Sequence, residues 1–236
     1  MKWEKRFSSP ESKREYVRRL FSTIAPRYDL ITVLLSFGQD RRWKRRLASL
    51  HDATGQAVLD LASGTGDLAY EVADRGAREV IALDITHAML ERASRKRAGR
   101  RVAFVTADMM ALPFPDASFD LITTGYGLRN VPLLEKAFKE AARVLRADGV
   151  LLSLDFNKPE RGFVRGVYLT YLSIVGSLLG AILHGDADTY RYIPESIKRW
   201  PGSQGVCSIA RDNGFRHCEA LSVLGGLMTI HRAWKA

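Results

Sequence analysis

The chain predicts an α/β fold, a mostly parallel sheet with helices on both faces. Three observations carry that expectation. Between residues 56 and 156, short β-branched runs alternate with segments of helical period, as in strands joined by crossover helices. The run Val58-Leu-Asp-Leu61 ends in a glycine turn, Ala62-Ser-Gly-Thr-Gly66, directly before a helical pattern. Carboxylates then recur near the ends of successive runs, at Asp60, Asp84 and Asp108. In such sheets ligands collect at the carboxyl ends of the strands, where the order of connection reverses.

Taken in order, residues 11–25 space Tyr16, Val17, Leu20, Phe21 and Ile24 by three and four, which predicts a helix interrupted by Pro26. Asp40-Arg-Arg-Trp-Lys-Arg-Arg46 opens the helix leading to the first strand. Its arginines make either a solvated face or a basic, tryptophan-bearing surface for anionic lipid. Strands are expected near 57–61, 79–84, 102–106, 119–124 and 148–156, and helices near 67–75, 87–97 and 132–146, with Pro132 in the first turn of the last. Tyr168–Leu183 reads as an apolar helix of about sixteen residues, short of the roughly twenty a membrane span needs, with a break near Gly176 or Gly180. His184–Ile197 is polar and aromatic, a lid. Two apolar runs, Phe215–Leu224 and Gly226–Arg232, close the chain as a hairpin.

At 236 residues, of which 46% are hydrophobic, the chain suits one well-buried domain with an appended cover. A net charge of +10 implies an anionic surface, either lipid headgroups or nucleic acid. Cys207 and Cys218 are too few for a disulfide scaffold and read as small buried residues in a reducing cytoplasm. The charged start, Met1–Arg6, lacks the apolar core of an export signal.

Glycines at 64 and 66 let backbone approach a ligand where a Cβ would collide, and free N–H groups at the following helix start attract a polar or anionic group. Asp84 lies about twenty residues on, where α/β folds hold the two hydroxyls of a ribose. The fourth strand runs into Thr123-Thr-Gly-Tyr-Gly-Leu-Arg-Asn130, setting Arg129 and Asn130 just past a strand end. They read as substrate contacts, or as a surface ion pair and a helix cap; placement favours the former.

The series Asp60-x-x-x-Gly64-x-Gly66, Asp84, Asp108, Leu112-Pro-Phe-Pro-Asp116 and Ser118–Thr123 resembles the class I S-adenosylmethionine-dependent methyltransferases. That resemblance implies a Rossmann-like, mostly parallel seven-stranded sheet with a C-terminal antiparallel hairpin. It also implies that Asp60, Gly64, Thr65 and Gly66 surround the methionine part of S-adenosylmethionine, that Asp84 and Ile85 hold its ribose, and that Asp108 and Met109 flank its adenine, with Gly125 nearby. The chain then divides into a helical cap (1–50), a donor-binding core (51–160), a substrate-covering insertion and lid (161–200) and a closing helix and hairpin (201–236).

Further segments narrow the likeness: Tyr28-Asp-Leu30, Leu35-Ser-Phe-Gly38, Gly127-Leu-Arg-Asn130, Gly185-Asp-Ala-Asp188, Tyr190-Arg-Tyr192, Pro194-Glu-Ser196 and the ending near His231. With these the chain resembles the ubiquinone/menaquinone biosynthesis C-methyltransferases, demethylmenaquinone methyltransferases among them. The family implies a polyprenylated quinol as acceptor, no metal, and a cytoplasmic protein attached peripherally to an anionic membrane surface. It carries Tyr28, Arg129, His184, Tyr190 and Tyr192 to the acceptor and makes Arg129 and Asn130 catalytic. A fixed guanidinium would favour the phenolate whose ring carbon is methylated, and the proton would leave through a held water, Asp155 or His184. The chain departs from the family at Ile31-Thr32, usually Met-Asn, at Gly125, often Ser, and around Trp200–Cys207, where glycines dilute the helical pattern.

Two other readings are a methyltransferase for another lipophilic molecule or a phospholipid amine, and a donor-binding scaffold without catalysis. Nucleic acid is disfavoured, because no base-flipping motif is present and the basic residues accompany apolar helices. A homodimer stays open.

Overall fold

The computed structural model describes residues 7–236; the charged start, Met1–Arg6, lies outside the described residues. Seven strands form one sheet: β1 (Ala57–Leu61), β2 (Glu79–Asp84), β3 (Val102–Thr106), β4 (Phe119–Gly125), β5 (Leu145–Phe156), β6 (Phe215–Val223) and β7 (Met228–Lys235). Their spatial order is β3-β2-β1-β4-β5-β7-β6. The first five pair in parallel, and β7 runs antiparallel to both neighbours. The expected hairpin is present, with its second strand inside the sheet and its first at the edge. The connection reverses between β1 and β4, so a crevice opens at their carboxyl ends.

Three helices precede the sheet: α1 (Pro10–Ile24), α2 (Tyr28–Leu35) and α3 (Asp40–Ala48). Ser9 caps α1 by accepting from Ser12 N, and Pro10 occupies its first turn, where no N–H is missed. The crossovers are α4 (Asp67–Asp74), α5 (His87–Arg95) and α6 (Leu134–Val144); then come α7 (Gly162–His184), α8 (Tyr192–Arg199) and α9 (Gly202–Asp212). Every residue of β1 is buried, as expected of a central parallel strand covered on both sides. Leu59, Leu61, Ile122 and Leu151 pack with Phe138 and Ala141 of α6 and Val206 and Ala210 of α9. Val58, Leu121, Val150 and Leu152 face Trp43 and Leu47 of α3 and Leu68 and Val72 of α4. Burial of both layers is the main term holding the sheet in place.

Four expectations change. The apolar helix is unbroken and 23 residues long, with a mean hydropathy of 1.8 over its most apolar window. By length and composition alone it could cross a membrane. Its glycines do not break it because they serve contact: a Cβ at Gly176 would stand 3.2 Å from the Tyr190 carbonyl oxygen, and one at Gly180 would strike the Asp186 carbonyl. Around Trp200–Cys207 the glycines likewise leave α9 intact. Cys207 and Cys218, both buried, are joined in a disulfide between α9 and β6. Pro132 precedes α6, which starts at Leu134.

Candidate active site

The glycine turn is built by backbone demand. Gly66 has φ +84°, and a Cβ there would meet Tyr70 Cε2 at 2.9 Å and Ala93 Cβ at 3.1 Å. Gly64 has φ +54° with only Tyr28 Cε1 near, at 3.8 Å. The two glycines thus differ: the second is required by packing against Tyr70 of α4 and Ala93 of α5, while the first keeps open the approach to the crevice. Gly66→Ala should cost about 1–3 kcal/mol of stability from strain and crowding, clearly more than Gly64→Ala, which denaturant unfolding of the two variants would measure.

Asp84 closes β2 and is buried. Its Oδ2 accepts from Gly64 N at 2.9 Å and its Oδ1 from Thr86 N at 2.8 Å. Burial raises its pKa, opposed by those two N–H groups. Asp84, Ile85, Asp108, Met109, Gly64 and Gly125 all line one crevice, together with Arg14, Val17 and Phe21 of α1. Asp108 accepts from Met110 N at 2.9 Å and pairs with Arg14 at 3.2 Å. The helical cap therefore reaches across the sheet tips, a contribution that the spacing of α1 predicted only as an apolar stripe.

Asp60 and Thr65 do not line that crevice. They line a smaller adjoining pocket with Asp67, Lys44 and Tyr28. Asp60 is fully buried; Thr123 Oγ1 donates to its Oδ1 at 2.7 Å, and its Oδ2 has no described partner. Burial pushes its pKa up to about 7, against Thr123 and Lys44. Thr65 Oγ1 donates to Asp29 Oδ1 at 2.6 Å. Lys44 lies 2.7 Å from Asp40 and 3.1 Å from Asp67. Burial opposes its charge, but the two carboxylates outweigh burial and hold its pKa above the usual value. This ion pair ties α3 to the first turn of α4 and so fixes the cap over the glycine turn.

Beyond the crevice lies a chamber of about 420 Å³. Its walls are mostly apolar and come from α1, α2, α7, the loop before α8 and the turn between β6 and β7. Phe21, Tyr28, Tyr126 and Asn130 line both spaces. Tyr126, not singled out from the sequence, takes φ +63° between two glycines. Its hydroxyl donates to Asp40 at 2.7 Å, and its ring packs on Phe156 with centroids 5.5 Å apart. Its only sequence signal was its place inside Gly-Tyr-Gly-Leu-Arg-Asn. Tyr28 is pushed up to about 12 by burial, so its hydroxyl stays protonated. Thr32 also lines the chamber and donates to the Tyr28 carbonyl at 2.9 Å.

Arg129 and Asn130 stand at the chamber wall, in a short 3₁₀ turn after β4. The Arg129 guanidinium is buried, its Nε donating to Asp155 Oδ1 at 3.1 Å and its Nη1 to Ser196 Oγ. It is therefore no surface ion pair: the carboxylate comes from the end of β5. Asp155 does not line the chamber, and burial raises its pKa although Arg129 opposes the rise. Asn130 Nδ2 donates to the Tyr126 carbonyl at 2.9 Å, and its Oδ1 is buried with no described partner. It caps no helix.

Tyr190 and Tyr192 line the chamber. His184 does not. The last residue of α7, it holds the Tyr190 hydroxyl at 2.8 Å from Nε2, so it supports the wall from behind. Among the described residues no group of three or more His, Cys, Asp or Glu side chains is placed to hold a metal.

An adenosyl ligand fits these residues: a crevice at the switch point, a glycine that leaves backbone exposed, and a buried Asp60 carboxylate whose Oδ2 has no described partner. The sheet order and the crevice at its tips fit an S-adenosylmethionine-dependent methyltransferase, and the chain's relatives show that it is one. More narrowly, it belongs to the ubiE/COQ5 methyltransferase family, whose model matches residues 9–235. It is 42% identical over 200 residues to a demethylmenaquinone methyltransferase of Thermus thermophilus, covering 83% of this chain and 91% of that one. To a ubiquinone/menaquinone biosynthesis C-methyltransferase UbiE of a Shewanella species it is 37% identical over 234 residues, covering 95% and 92%. Among solved structures, a SAM-dependent methyltransferase from Aquifex aeolicus superposes with a TM-score of 0.61 at 20% identity, over 82% of this chain and 89% of that one. At that identity the likeness speaks to the fold alone.

Proposed function

We propose that the chain methylates a ring carbon of a polyprenylated quinol in respiratory quinone biosynthesis, working in the cytoplasm at a membrane surface. The observation that carries this reading is the shared wall: donor crevice and apolar chamber meet at Tyr28, Tyr126 and Asn130. A ring in the chamber could thus stand against a donor in the crevice without an intervening solvent layer. The relatives named above are, by name, a demethylmenaquinone methyltransferase and a C-methyltransferase of ubiquinone/menaquinone biosynthesis, which fits a chamber of this polarity.

S-adenosylmethionine would supply a methyl group on a sulfonium; transfer to carbon would form a C–C bond as the S–C bond breaks, leaving S-adenosylhomocysteine, with the ring proton passing to a water held by Arg129 and Asn130. In our reading Gly64, Gly66 and Asp60 hold the methionine end, with Thr65 bracing the turn, Asp84 with Ile85 holds the ribose, and Asp108 with Met109 flanks the adenine beside Gly125. Alignment supplies much of the rate, since fixing two reactants in register removes an entropic barrier. A phenol of pKa about 10 is mostly protonated at neutral pH, so the site must favour the oxyanion. Arg129 has its Nε and Nη1 engaged and no described bond at Nη2, leaving that edge to hold the acceptor oxygen. Asn130 Oδ1 accepts from the neighbouring hydroxyl. Asp155, set behind Arg129, positions the guanidinium instead of touching the ring. Tyr28, Tyr190 and Tyr192 shape the ring's seat, and His184 acts through Tyr190.

The test is direct: incubate the protein with methyl-labelled donor and, separately, a demethylmenaquinol, a benzoquinol precursor and a phospholipid amine. Label on a quinol ring carbon is expected; label on the amine alone would move the function elsewhere. A pH dependence follows from Asp60. Its folded pKa, pushed up to about 7, leaves it half protonated at neutral pH, whereas a cationic donor needs the carboxylate. Donor affinity should therefore fall as pH drops below about 7, approaching tenfold per unit, and Asp60→Asn should flatten that slope in calorimetric titrations.

A further inference from the structure

Every exposed large apolar side chain among the described residues belongs to α2, the turn after it, α7 or the Leu224 turn. Soluble surfaces scatter such side chains singly; here they concentrate on a few segments, two of which meet where Phe37 stacks on Tyr171 with ring centroids 6.3 Å apart. On α7 they recur at Phe163, Val167, Tyr171, Ile174, Leu178 and Ile182, a spacing of three and four that runs the whole helix along one face. The opposite face carries the buried Leu172, Gly176 and Gly180, and the last two seat the backbone at Tyr190 and Asp186. A helix held lengthwise in this way cannot cross a bilayer without giving up its seat on the lid. It can lie in one.

Two further features say what the stripe meets. Phe37, Tyr171 and Leu224 are both exposed and chamber-lining, so apolar surface reaches the mouth of the chamber at these three residues. Phe37 is 74% exposed with φ +51°, held outward at the turn between α2 and α3, where the helical path bends by 91°. Directly after that turn α3 exposes Arg41, Arg42, Arg45 and Arg46, and α7 opens beside Arg161. Basic residues that follow exposed Phe37 in the chain and precede the first turn of α7 suit an anionic lipid surface, each contributing about 1 kcal/mol there.

We propose that this face is a docking surface for one leaflet of an anionic bilayer: α7 lies in the membrane plane and the mouth of the chamber, at Phe37, Tyr171 and Leu224, opens into the acyl layer. A polyprenyl tail then stays in lipid while its ring enters the chamber, so the substrate never crosses water. This orientation rests on the quinol reading given above.

The test uses the full chain and a variant carrying Ile174→Ser, Leu178→Ser and Ile182→Ser, three exposed positions outside the chamber. Wild type should sediment with phosphatidylcholine vesicles containing phosphatidylglycerol and only weakly with phosphatidylcholine alone. The variant's partition should fall roughly a hundredfold, from the apolar area lost. Its turnover of a quinol with a single-isoprene tail in solution should match wild type, while turnover of a long-tailed quinol in vesicles drops with binding. Equal vesicle binding by both chains overturns the docking face. So does a wild-type dimer that the variant converts to monomer with vesicle binding intact, since the stripe would then join two copies. If no quinol is methylated by either chain, the acceptor assignment fails, and vesicle binding still decides the face.

Discussion

Replacing Arg129 by alanine should lower turnover by roughly two to four orders of magnitude while S-adenosylmethionine binding stays close to wild type. The guanidinium lines the chamber and not the donor crevice, so its loss removes the group that favours the acceptor oxyanion. The structure adds a consequence for stability. Asp155 would be left buried without its 3.1 Å partner, which typically costs about 3–5 kcal/mol when one member of a buried pair is removed. Protonation of Asp155, whose pKa burial already raises, softens that cost. Single-turnover rates, donor calorimetry and a melting curve on the same preparation separate the effects. A folded, donor-binding variant with near-normal turnover would remove Arg129 from the mechanism.

The second large effect is expected at Asp84. Its carboxylate gathers the N–H groups of Gly64 and Thr86 at the lip of the crevice, and in our reading also holds the ribose hydroxyls. Asp84→Ala should weaken donor binding by roughly a hundredfold or more, since two buried N–H groups lose their acceptor at about 1–3 kcal/mol each in addition to the ribose contact. Asp84→Asn keeps one carbonyl oxygen and should fall between. Unchanged affinity in the alanine variant would mean the donor lies elsewhere.

The local rules read well because their periods are short. The strands come within a few residues of their expected bounds, since short apolar runs and glycine punctuation act over five to ten residues. The cap helix, whose apolar side chains recur by three and four, appears where that spacing places it. The α7 glycines were misread for the same reason: within the sequence a glycine weakens a helix, and only the loop folded back upon Gly176 and Gly180 reveals why a side chain is unwelcome there. Arg129 illustrates the converse. Its place past a strand end was legible, but its partner is 26 residues on, and the choice of Asp155 over a surface carboxylate is made by β4 and β5 lying side by side.

The sequence by itself determined the parallel sheet, the glycine turn and the carboxylates at its strand tips, because each follows from nearest-neighbour backbone preferences and a repeating apolar pattern. Tertiary structure alone decided which of those residues face the crevice and which brace it. It merged the crevice with an apolar chamber, set His184 behind Tyr190, joined Cys207 to Cys218 and left one face of α7 bare. Those outcomes depend on close packing between segments far apart in the chain, and packing selects partners by shape and charge that no local pattern encodes.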